Sequence, residues 1–459
     1  MLYQTKQLRK LGWTTFIKQL QHPSDINPAI WHIPHPAAAY LHRLARSGTP
    51  APSTTPPWTR RRLKKVYQRG AHSSAMHQFR TFLFEDMWDM ICKRYWVVLP
   101  FSEVQHFKSL KLAPAGVVPQ RTRRPRPIMD YTFTAVNQGS LNIAPMQAMQ
   151  FGTTIHRILQ RIAYARSIHG PVLMSKIDLS DGYYRVPLSP SAALELAVVL
   201  PPLTGTKPII GIPLVLPMGW KYSPLFFCAY TETIADVSNQ IIGSQTPTSP
   251  HRLEMLIDTI AAPRDELHPS AIIPPQCYTL PDPIAYTDVY MDDFLGLAQP
   301  ACSKTTLRAT LHSIDSVFRP DTLPGDAPTR KAVISQSKLD AGDGTWSTRK
   351  VVLGWLLNTA DKTIRLPQHK TDRLHELLQH FIPLRRTSRR KWQQLLGELR
   401  HLAVAIPGAR YLFSILQSVL VEQPTSQRLH LNSLVTASLH DWEALATTLS
   451  TTPTPIRKT

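Results

Sequence analysis

The sequence predicts an α+β protein, and three parts of the chain support this fold class. Between about residues 75 and 235, short apolar segments alternate with segments whose apolar residues recur at helical spacing. Residues 302–318 then have the spacing of a helix, and residues 350–367 have the pattern of a β-hairpin. Residues 368–425 are helical in pattern throughout. At 459 residues the chain is long enough for about three structural units.

Residues 1–70 are rich in Pro, His and Arg, which separates them from the alternating pattern that follows. Residues 47–65 have the composition of a linker that ends in a basic cluster, TRRRLKK. We expect partial disorder here. The basic cluster fits a nuclear-import signal, a phosphate-binding patch or an ordinary exposed linker, and all three interpretations stay open.

The chain is strongly basic, with 52 Lys and Arg against 31 Asp and Glu and a formal net charge of +21. This excess predicts a polyanionic partner, with nucleic acid as the first choice and a membrane surface as the second. The cysteines are scattered without a Cys-x-x-Cys pair, which predicts neither a disulfide framework nor a zinc site; they are Cys92, Cys228, Cys277 and Cys302. A reducing, intracellular location fits this usage.

The most apolar stretch, residues 194–217, is interrupted by prolines and by Lys207, so it predicts two short strands and not a membrane span. The first 20 residues carry charges throughout and lack the apolar core of a secretory signal. We expect a protein of the cytoplasm or nucleus without a membrane partner.

Several helices are predicted from apolar stripes. The helix at 302–318 has Leu307, Leu311, Ile314 and Val317 on one face. Helices at 371–384 and 388–406 each begin with a Thr or Ser suited to N-capping, and a third covers 407–421. Together these three predict a helical bundle over 368–425.

Two adjacent carboxylates, Asp292 and Asp293, lie within the apolar and aromatic run AYTDVYMDDFLGLA at 285–298. Like charges side by side between apolar residues are costly unless water or a cation relieves them. One interpretation is a polar turn between two short strands. The other is a divalent-metal site, which requires a further carboxylate from elsewhere in the chain.

That further carboxylate is Asp178, at the end of the apolar strand formed by Val172, Leu173, Met174 and Ile177. The segment SDGYY then turns the chain. Taken alone, Asp178 is as well explained as the cap of this turn. A metal role depends on the strand end meeting the Asp292 hairpin.

The order of three segments decides between these interpretations. These segments are KIDLSDGYY at 176–184, LPMGWKYSPLFF at 216–227 and YMDD at 290–293. They follow one another in the same order as in the palm of reverse transcriptases. Residues 95–425 clearly resemble the reverse transcriptases of retrotransposons and retroviruses. The sequence of the C-terminal helices most resembles that of gypsy-like or tyrosine-recombinase (DIRS-like) elements. The resemblance implies a right-hand polymerase with fingers, an antiparallel palm sheet and a helical thumb. It implies an RNA-directed DNA polymerase that extends a primer with dNTPs on an RNA or DNA template.

The resemblance assigns the catalytic metal site to Asp178, Asp292 and Asp293. Asp178 and Asp292 are expected to hold two Mg²⁺ ions, with Mn²⁺ as a possible substitute, and Asp293 to support them. On this basis the two adjacent acids have a function and not only a turn.

The same resemblance assigns the dNTP contacts. Arg126 matches the arginine that binds the triphosphate, because a guanidinium holds phosphate oxygens in a bidentate way, and Asp130 is its expected partner. A second cationic contact is expected from Arg121, Arg123 or Arg124.

Two further positions match the nucleotide pocket. Tyr183 matches the aromatic residue that excludes a 2′-hydroxyl by volume, which implies DNA synthesis. Gly219 is expected to allow close approach of the backbone to nucleotide and template, and Ser223 with Pro224 to begin a helix. Asp181 is expected to order the turn after Asp178.

Contacts with the primer-template duplex are implied at two places. The hairpin at 352–357 resembles the primer grip, with Gly354 and Trp355 near the primer end. The helical bundle resembles the thumb, with duplex contacts from Trp392, Gln393, Gly397 and Arg400. Residues 385–391 are either phosphate contacts or a basic loop.

The implied organisation is fingers and palm at 71–367, thumb at 368–425 and a connection at 426–459 that is truncated before any ribonuclease H. Residues of about 238–284 look like an insertion with one short helix. Met218 stands where retroviral enzymes have a polar residue. Two alternatives remain: an RNA-templated RNA polymerase, against which Tyr183 argues, and an inactive nucleic-acid-binding remnant.

Overall fold

The computed structural model describes residues 1–120, 124–143, 149–202, 207–244, 247–257, 282–405, 409–423 and 428–456. It is a mixture of helices and sheets, so the α+β prediction is confirmed. Most of the insertion expected at 238–284 lies outside the described residues. Within the described part, no helix combines the length and apolarity needed to cross a bilayer.

The N-terminal region differs from the expected disorder. It forms helices that pack on the rest of the molecule, namely α1 (Leu2–Leu11), α2 (Trp13–Leu20), α3 (Ala38–Ser47) and α4 (Arg60–Arg69). Phe16, Ile17 and Leu41 are fully or almost fully buried. The expected linker is held by backbone hydrogen bonds, among them Thr49 N to Pro187 O at 2.8 Å. Composition misled here because apolar residues at helical spacing can dock even a Pro-rich segment.

The first sheet of the molecule has five strands in the order β1-β6-β5-β2-β3. The strands are β1 (Trp96–Leu99), β2 (Leu112–Val118), β3 (Arg126–Met129), β5 (Ala197–Leu200) and β6 (Ile209–Pro213). The last two are the strands predicted within 194–217. Helices α5 (Arg80–Cys92), α6 (Phe101–Val104), α7 (Val136–Gly139), α8 (Thr154–Tyr164) and α9 (Pro190–Glu195) complete this part of the chain.

A second, three-stranded antiparallel sheet carries the candidate site. Its order is β4-β8-β7, with β4 at Leu173–Asp178, β7 at Ala285–Tyr290 and β8 at Asp293–Ala298. Helices α10 (Ser223–Ser244) and α11 (Ser303–Val317) pack behind it. Both begin close to where the sequence predicts, and the apolar face predicted for α11 is buried.

The C-terminal part contains a further sheet and a helical bundle. After α12 (Gln336–Asp340), the sheet consists of β9 (Arg349–Val352), β10 (Trp355–Asn358), β11 (Thr363–Arg365) and β14 (Thr454–Pro455), which confirms the predicted hairpin. The bundle contains α13 (Gln368–Phe381), α14 (Arg389–Ala405), α15 (Ala409–Glu422) and α16 (Ser433–Thr451), and β12 (Arg386–Thr387) pairs with β13 (Leu429–His430).

The N-terminal caps of the bundle agree with the prediction at one helix only. Ser388 accepts a hydrogen bond from the Lys391 backbone N at 3.3 Å, as an N-cap should. Helix α13 instead begins at Gln368, after Pro367, so the expected cap Thr371 is a buried residue within the helix. A proline favours an extended conformation for the residue before it, which separates that residue from the helix. Helix α13 therefore begins directly after Pro367, three residues before the Thr that the sequence analysis took as its N-cap.

A buried group of charges joins the N-terminal region to the sheet that carries the site. Asp25 accepts hydrogen bonds from Arg185 Nη1 at 3.2 Å and Arg330 Nε at 2.7 Å. The Arg185 side chain is completely buried and also donates to Ser180 O at 2.7 Å. Since Ser180 lies two residues after Asp178, Asp25 holds the turn that follows the candidate catalytic strand.

We expect Asp25→Ala to lower the free energy of unfolding by about 3 kcal/mol, because it removes the carboxylate that accepts hydrogen bonds from two largely buried guanidinium groups. Urea denaturation of the full chain measures this loss. The matched control is Asp340→Ala, an exposed carboxylate at the end of α12, which should change stability by less than about 0.5 kcal/mol. Equal effects of the two substitutions would contradict a special role of Asp25.

Candidate active site

The two adjacent carboxylates lie at a tight hairpin. Strand β7 ends at Tyr290 and β8 begins at Asp293, so Met291 and Asp292 form the turn between them. Met291 has a positive φ of 59°, as two-residue hairpin turns require. The hairpin prediction is therefore confirmed, but only Asp292 belongs to the turn, and Asp293 is the first residue of the strand.

The third predicted carboxylate meets this hairpin. Asp178, the last residue of β4, pairs in register with Asp293 on β8. The Leu179 backbone N donates to Asp292 O at 3.0 Å. Asp178 is only 7% exposed. The fold thus brings together the three aspartates that the sequence singles out.

Electrostatics in this cluster disfavour three ionised acids. Burial and the charge of Asp178 raise the pKa of Asp292 above its ordinary value. Burial and a hydrogen bond with Asp178 raise the pKa of Asp293 to about 6. A site of this kind gains stability from added positive charge, whether from a side chain or from a bound cation.

Two lysines supply positive charge that the sequence analysis did not predict. Lys338 of α12 forms an ion pair with Asp178, and Lys176 Nζ lies 3.1 Å from Asp293 Oδ1. Burial opposes the charge of Lys338, but the ion pair with Asp178 raises its pKa. Lys176 had a signal, since a spacing of two residues puts it on the same face of β4 as Asp178. Lys338 had none, because 160 residues separate it from Asp178.

The donor set fits a hard divalent cation in its chemistry. Mg²⁺ prefers carboxylate oxygens, and the three aspartates offer six. As the side chains lie here, no group of three or more His, Cys, Asp or Glu side chains within the described ranges is arranged to hold a metal ion. In this arrangement Asp178 pairs with Lys338 and Asp293 with Lys176, each through one carboxylate oxygen.

A cavity of about 480 Å³ opens in front of Asp178 and Asp292. Its wall includes Arg126, Tyr183 and Met218. The cavity therefore combines a cationic group from β3, acidic groups from the end of β4 and the β7–β8 turn, and an aromatic group from the segment after β4.

Arg126 of β3 lines this cavity, and its Nη2 lies 3.1 Å from Met218 Sδ. Met218 thus contacts Arg126, the residue predicted to bind the triphosphate, although Met218 lacks the polar group that retroviral enzymes have at this position. The expected pairing of Arg126 with Asp130 is wrong. Asp130 instead hydrogen-bonds to His72 Nε2 at 3.0 Å and to the Phe133 backbone N at 2.9 Å.

Arg124, predicted as a second triphosphate contact, points elsewhere. Its Nη2 lies 3.3 Å from Asp86 Oδ1 on α5, and its guanidinium lies 4.9 Å from the centre of the Phe82 ring. A buried carboxylate is a stronger local partner than an open cavity, so the side chain turns to α5. Arg121 and Arg123, the other two candidates, lie outside the described residues.

Tyr183 is held rigidly within the cavity. Its ring packs edge-on against Phe227 with centroids 5.1 Å apart, and its hydroxyl lies 3.7 Å from Met291 Sδ. Burial raises the pKa of Tyr183, so the phenol stays neutral. Its neighbour Gly182 lies against Asp292, since a Cβ there would be 3.9 Å from Asp292 Oδ2. A fixed ring beside the aspartates suits the predicted steric role.

Gly219 has a structural requirement that the sequence analysis assigned to substrate. Its φ is +102°, and a Cβ would lie 2.4 Å from Met129 O of β3. The Asn137 side-chain amide also donates to Gly219 O at 3.0 Å. Close approach does occur, but between two parts of the protein, and it joins the segment before α10 to strand β3.

We expect Gly219→Ala to lower the free energy of unfolding by about 2 kcal/mol, because the new Cβ combines a strained φ with a clash against a carbonyl. Urea denaturation measures it. Gly243→Ala is the control: nothing lies within 4 Å of its Cβ position in α10, so alanine there should be neutral or stabilising. A tolerated Gly219→Ala would remove the steric explanation.

The predicted duplex contacts divide into buried and exposed residues. Trp355 and Trp392 are 1% and 0% exposed, so the prediction that they contact nucleic acid is wrong. The Trp392 indole donates to Leu416 O at 3.0 Å within the bundle. A large apolar ring gains more from this core than from a charged backbone. The others can be reached from solvent: Gly354 in the β9–β10 turn, and Gln393, Gly397 and Arg400 on α14.

Comparison with known proteins gives a structural likeness only. No protein-family model and no curated protein matches the chain. Among solved structures, a foamy viral protease-reverse transcriptase dRH in complex with double-stranded DNA aligns at 14% identity and a TM-score of 0.47, covering 96% of this chain. A second foamy viral protease-reverse transcriptase in complex with double-stranded DNA aligns at the same identity and TM-score, covering 97% of this chain and 72% of its own.

The chain spans 60% of the length of the first of these proteins. With a TM-score below 0.5, the likeness assigns no function. The class defined by the fold and the site is therefore an α+β protein with three clustered aspartates at a strand end and a neighbouring hairpin, beside a cavity that contains an arginine and a tyrosine.

Proposed function

We propose that this chain is an RNA-directed DNA polymerase of a retroelement, of the gypsy-like or tyrosine-recombinase kind, which extends a primer with dNTPs. One observation carries the proposal: Asp178, Asp292 and Asp293 converge beside a cavity whose wall also contains Arg126 and Tyr183. Nucleotidyl transfer needs these groups together, since it has to neutralise a triphosphate and position a hydroxyl.

In this proposal Asp178 and Asp292 hold two Mg²⁺ ions, and Asp293 supports them. When bound, the ions make the primer 3′-hydroxyl more acidic and neutralise the leaving pyrophosphate. Lys338 and Lys176 each pair with one carboxylate oxygen, of Asp178 and Asp293 respectively, and an ion held by that oxygen would take the place of the ammonium group.

The other residues of the cavity bind and select the nucleotide. Arg126 binds the triphosphate, because its guanidinium is exposed toward the cavity and its contact with Met218 is a weak one. Tyr183 excludes ribonucleotides by the volume of its ring. Gln393, Gly397 and Arg400 on the exposed side of α14 contact the backbone of the primer-template duplex.

Primer extension on an RNA template, with dNTPs and Mg²⁺, tests the proposal. We expect extension that stops when EDTA removes the metal and that is weak with rNTPs. Extension with rNTPs in place of dNTPs would favour the RNA polymerase alternative. Salt-sensitive binding of the duplex without any extension would identify a nucleic-acid-binding remnant, since phosphate contacts survive the loss of chemistry.

A further inference from the structure

Helix α4 carries a concentration of positive charge that destabilises the helix itself. Six of its ten residues are Lys or Arg, and none is acidic. Three arginines occupy its first turn, at the positive end of the helix dipole, and several cations are four residues apart on the same face. Both arrangements are destabilising. A helix that served packing alone has no use for them, so the charge indicates an anionic partner.

No carboxylate of the described residues compensates this charge. The six cations are Arg60, Arg61, Arg62, Lys64, Lys65 and Arg69, and all are exposed. Ion pairs that involve the N-terminal region are formed by other residues, such as Arg9 with Glu103. The first 70 residues contain twelve Lys and Arg and a single acid, Asp25, and therefore carry 11 of the chain's 21 net positive charges. Asp25 is engaged by Arg185 and Arg330.

Aromatic rings lie among these cations. The Arg69 guanidinium lies 4.0 Å from the centre of the Phe133 ring, which is 53% exposed. The Arg62 guanidinium lies 4.0 Å from the centre of the Trp58 ring. Phosphate-binding cations beside an exposed ring suit a strand with unpaired bases, because bases stack on the ring while the backbone follows the charge. A duplex offers no free base face for Phe133.

The basic face reaches from the turn after β3 to a separate cleft. Arg62 Nη2 donates to Thr134 O at 3.2 Å, in the turn that follows β3 and its Arg126. On the other side of the helix, Arg60 and Lys64 line a cleft of about 1000 Å³. With 3.6 residues per turn, the cations cover the whole exposed arc between these two ends.

We propose that α4 and Phe133 form a binding face for single-stranded nucleic acid, which holds the unpaired template strand outside the active site. The observations above support the binding face by themselves, and only the identification of the bound strand as the template rests on the proposed polymerase function. RNA and DNA share the phosphates and base faces that this surface recognises, so both are tested.

The test measures binding of labelled RNA and DNA single strands of about 20 nucleotides by fluorescence anisotropy, with the full chain and without primer. The variant replaces four cations by glutamine: Arg60→Gln, Arg61→Gln, Lys64→Gln and Lys65→Gln. We expect binding at low salt to weaken by about tenfold or more. The slope of log K against log salt should decrease in magnitude by about 3, because each phosphate contact that is lost reduces the number of counterions released on binding. Circular dichroism and thermal melting verify that the variant is folded.

The control removes the same charge from exposed positions of the same region: Lys6→Gln, Lys10→Gln, Lys18→Gln and Arg46→Gln. It should weaken binding by less than about threefold. Phe133→Ala should weaken binding by about fivefold or more without changing the salt slope, because stacking releases no counterions. Equal losses in the two glutamine variants would overturn the proposal, since bulk charge would then explain binding. Unchanged binding in the α4 variant would overturn it in favour of an acidic protein partner.

Strand binding and primer extension together separate this proposal from the proposed polymerase function. Strand binding is measured without chemistry, so it stands if the chain extends no primer. If the chain does extend primers, the α4 variant should lose activity on a template with a long unpaired overhang but not on one with an overhang of about two nucleotides. Equal activity on both would show that the strand bound there is not the template. A loss with RNA only, or with DNA only, identifies the natural strand.

Discussion

Asp292→Asn is expected to reduce primer extension by about 10³-fold or more while primer-template binding stays within about threefold. Asparagine has nearly the same shape as aspartate but no charge, so it cannot replace a carboxylate ligand. The turn that holds residue 292 is stabilised by the backbone contact from Leu179 N, which the substitution does not touch. Extension assays and anisotropy with the same duplex measure the two effects.

The same variant has an expected effect on stability with the opposite sign. Burial and the charge of Asp178 raise the pKa of Asp292, which means that its ionised form is less favourable in the folded than in the unfolded chain. Near neutral pH this ionised form destabilises the fold, and the loss shrinks as pH falls through the raised pKa. Asp292→Asn should therefore melt at or above the temperature of the natural chain.

Asp361→Asn is the matched control, since it makes the same change at an exposed position. It should leave extension unchanged. An Asp292→Asn variant that extends primers normally would remove the metal-ligand assignment. One that melts well below the natural chain would show that Asp292 has a structural role, and its inactivity would then carry no mechanistic weight.

Tyr183→Ala is expected to reduce the preference for dNTPs over rNTPs by about 100-fold, because removal of the ring leaves room for a 2′-hydroxyl. The ring is fixed by Phe227, and its hydroxyl makes only a weak contact with Met291. Steady-state kcat/KM for matched dNTP and rNTP pairs gives the preference.

Tyr183→Phe separates the ring from its hydroxyl. If volume is what excludes the ribose, phenylalanine should keep the preference within about threefold. An equal loss in both variants would assign selectivity to the hydroxyl. An unchanged preference in Tyr183→Ala would place the selecting group elsewhere in the cavity.

Much of the fold follows from local patterns. Helix α11, the β9–β10 hairpin and the two strands within 194–217 depend on apolar spacing and turn residues only a few positions apart. Such signals act within a single element and are complete in the sequence. The same holds for the YMDD hairpin, where the acids and the flanking strands are visible together.

The orientation of individual side chains follows less well. A resemblance assigns Trp392 to the duplex and Arg124 to the triphosphate, yet one lies in the bundle core and the other pairs with Asp86. In both cases the sequence position is right for the element, but competing partners on neighbouring elements decide where the side chain points. Gly219 is similar, since Met129 O of a distant strand explains its backbone.

Local sequence therefore suffices for strands β4 to β10 and for helices α10, α11, α13, α14 and α15, whereas the three aspartates are identified by the order of the motifs and by the resemblance. Tertiary structure alone reveals that the N-terminal region docks, that Asp25 holds the turn after Asp178, and that Lys338 neutralises Asp178. The physical reason is separation along the chain: Asp25 meets Arg330 across 305 residues, and Asp178 meets Lys338 across 160. Charge pairs at such distances leave no periodic trace in either segment, because only the folded chain brings the partners within reach.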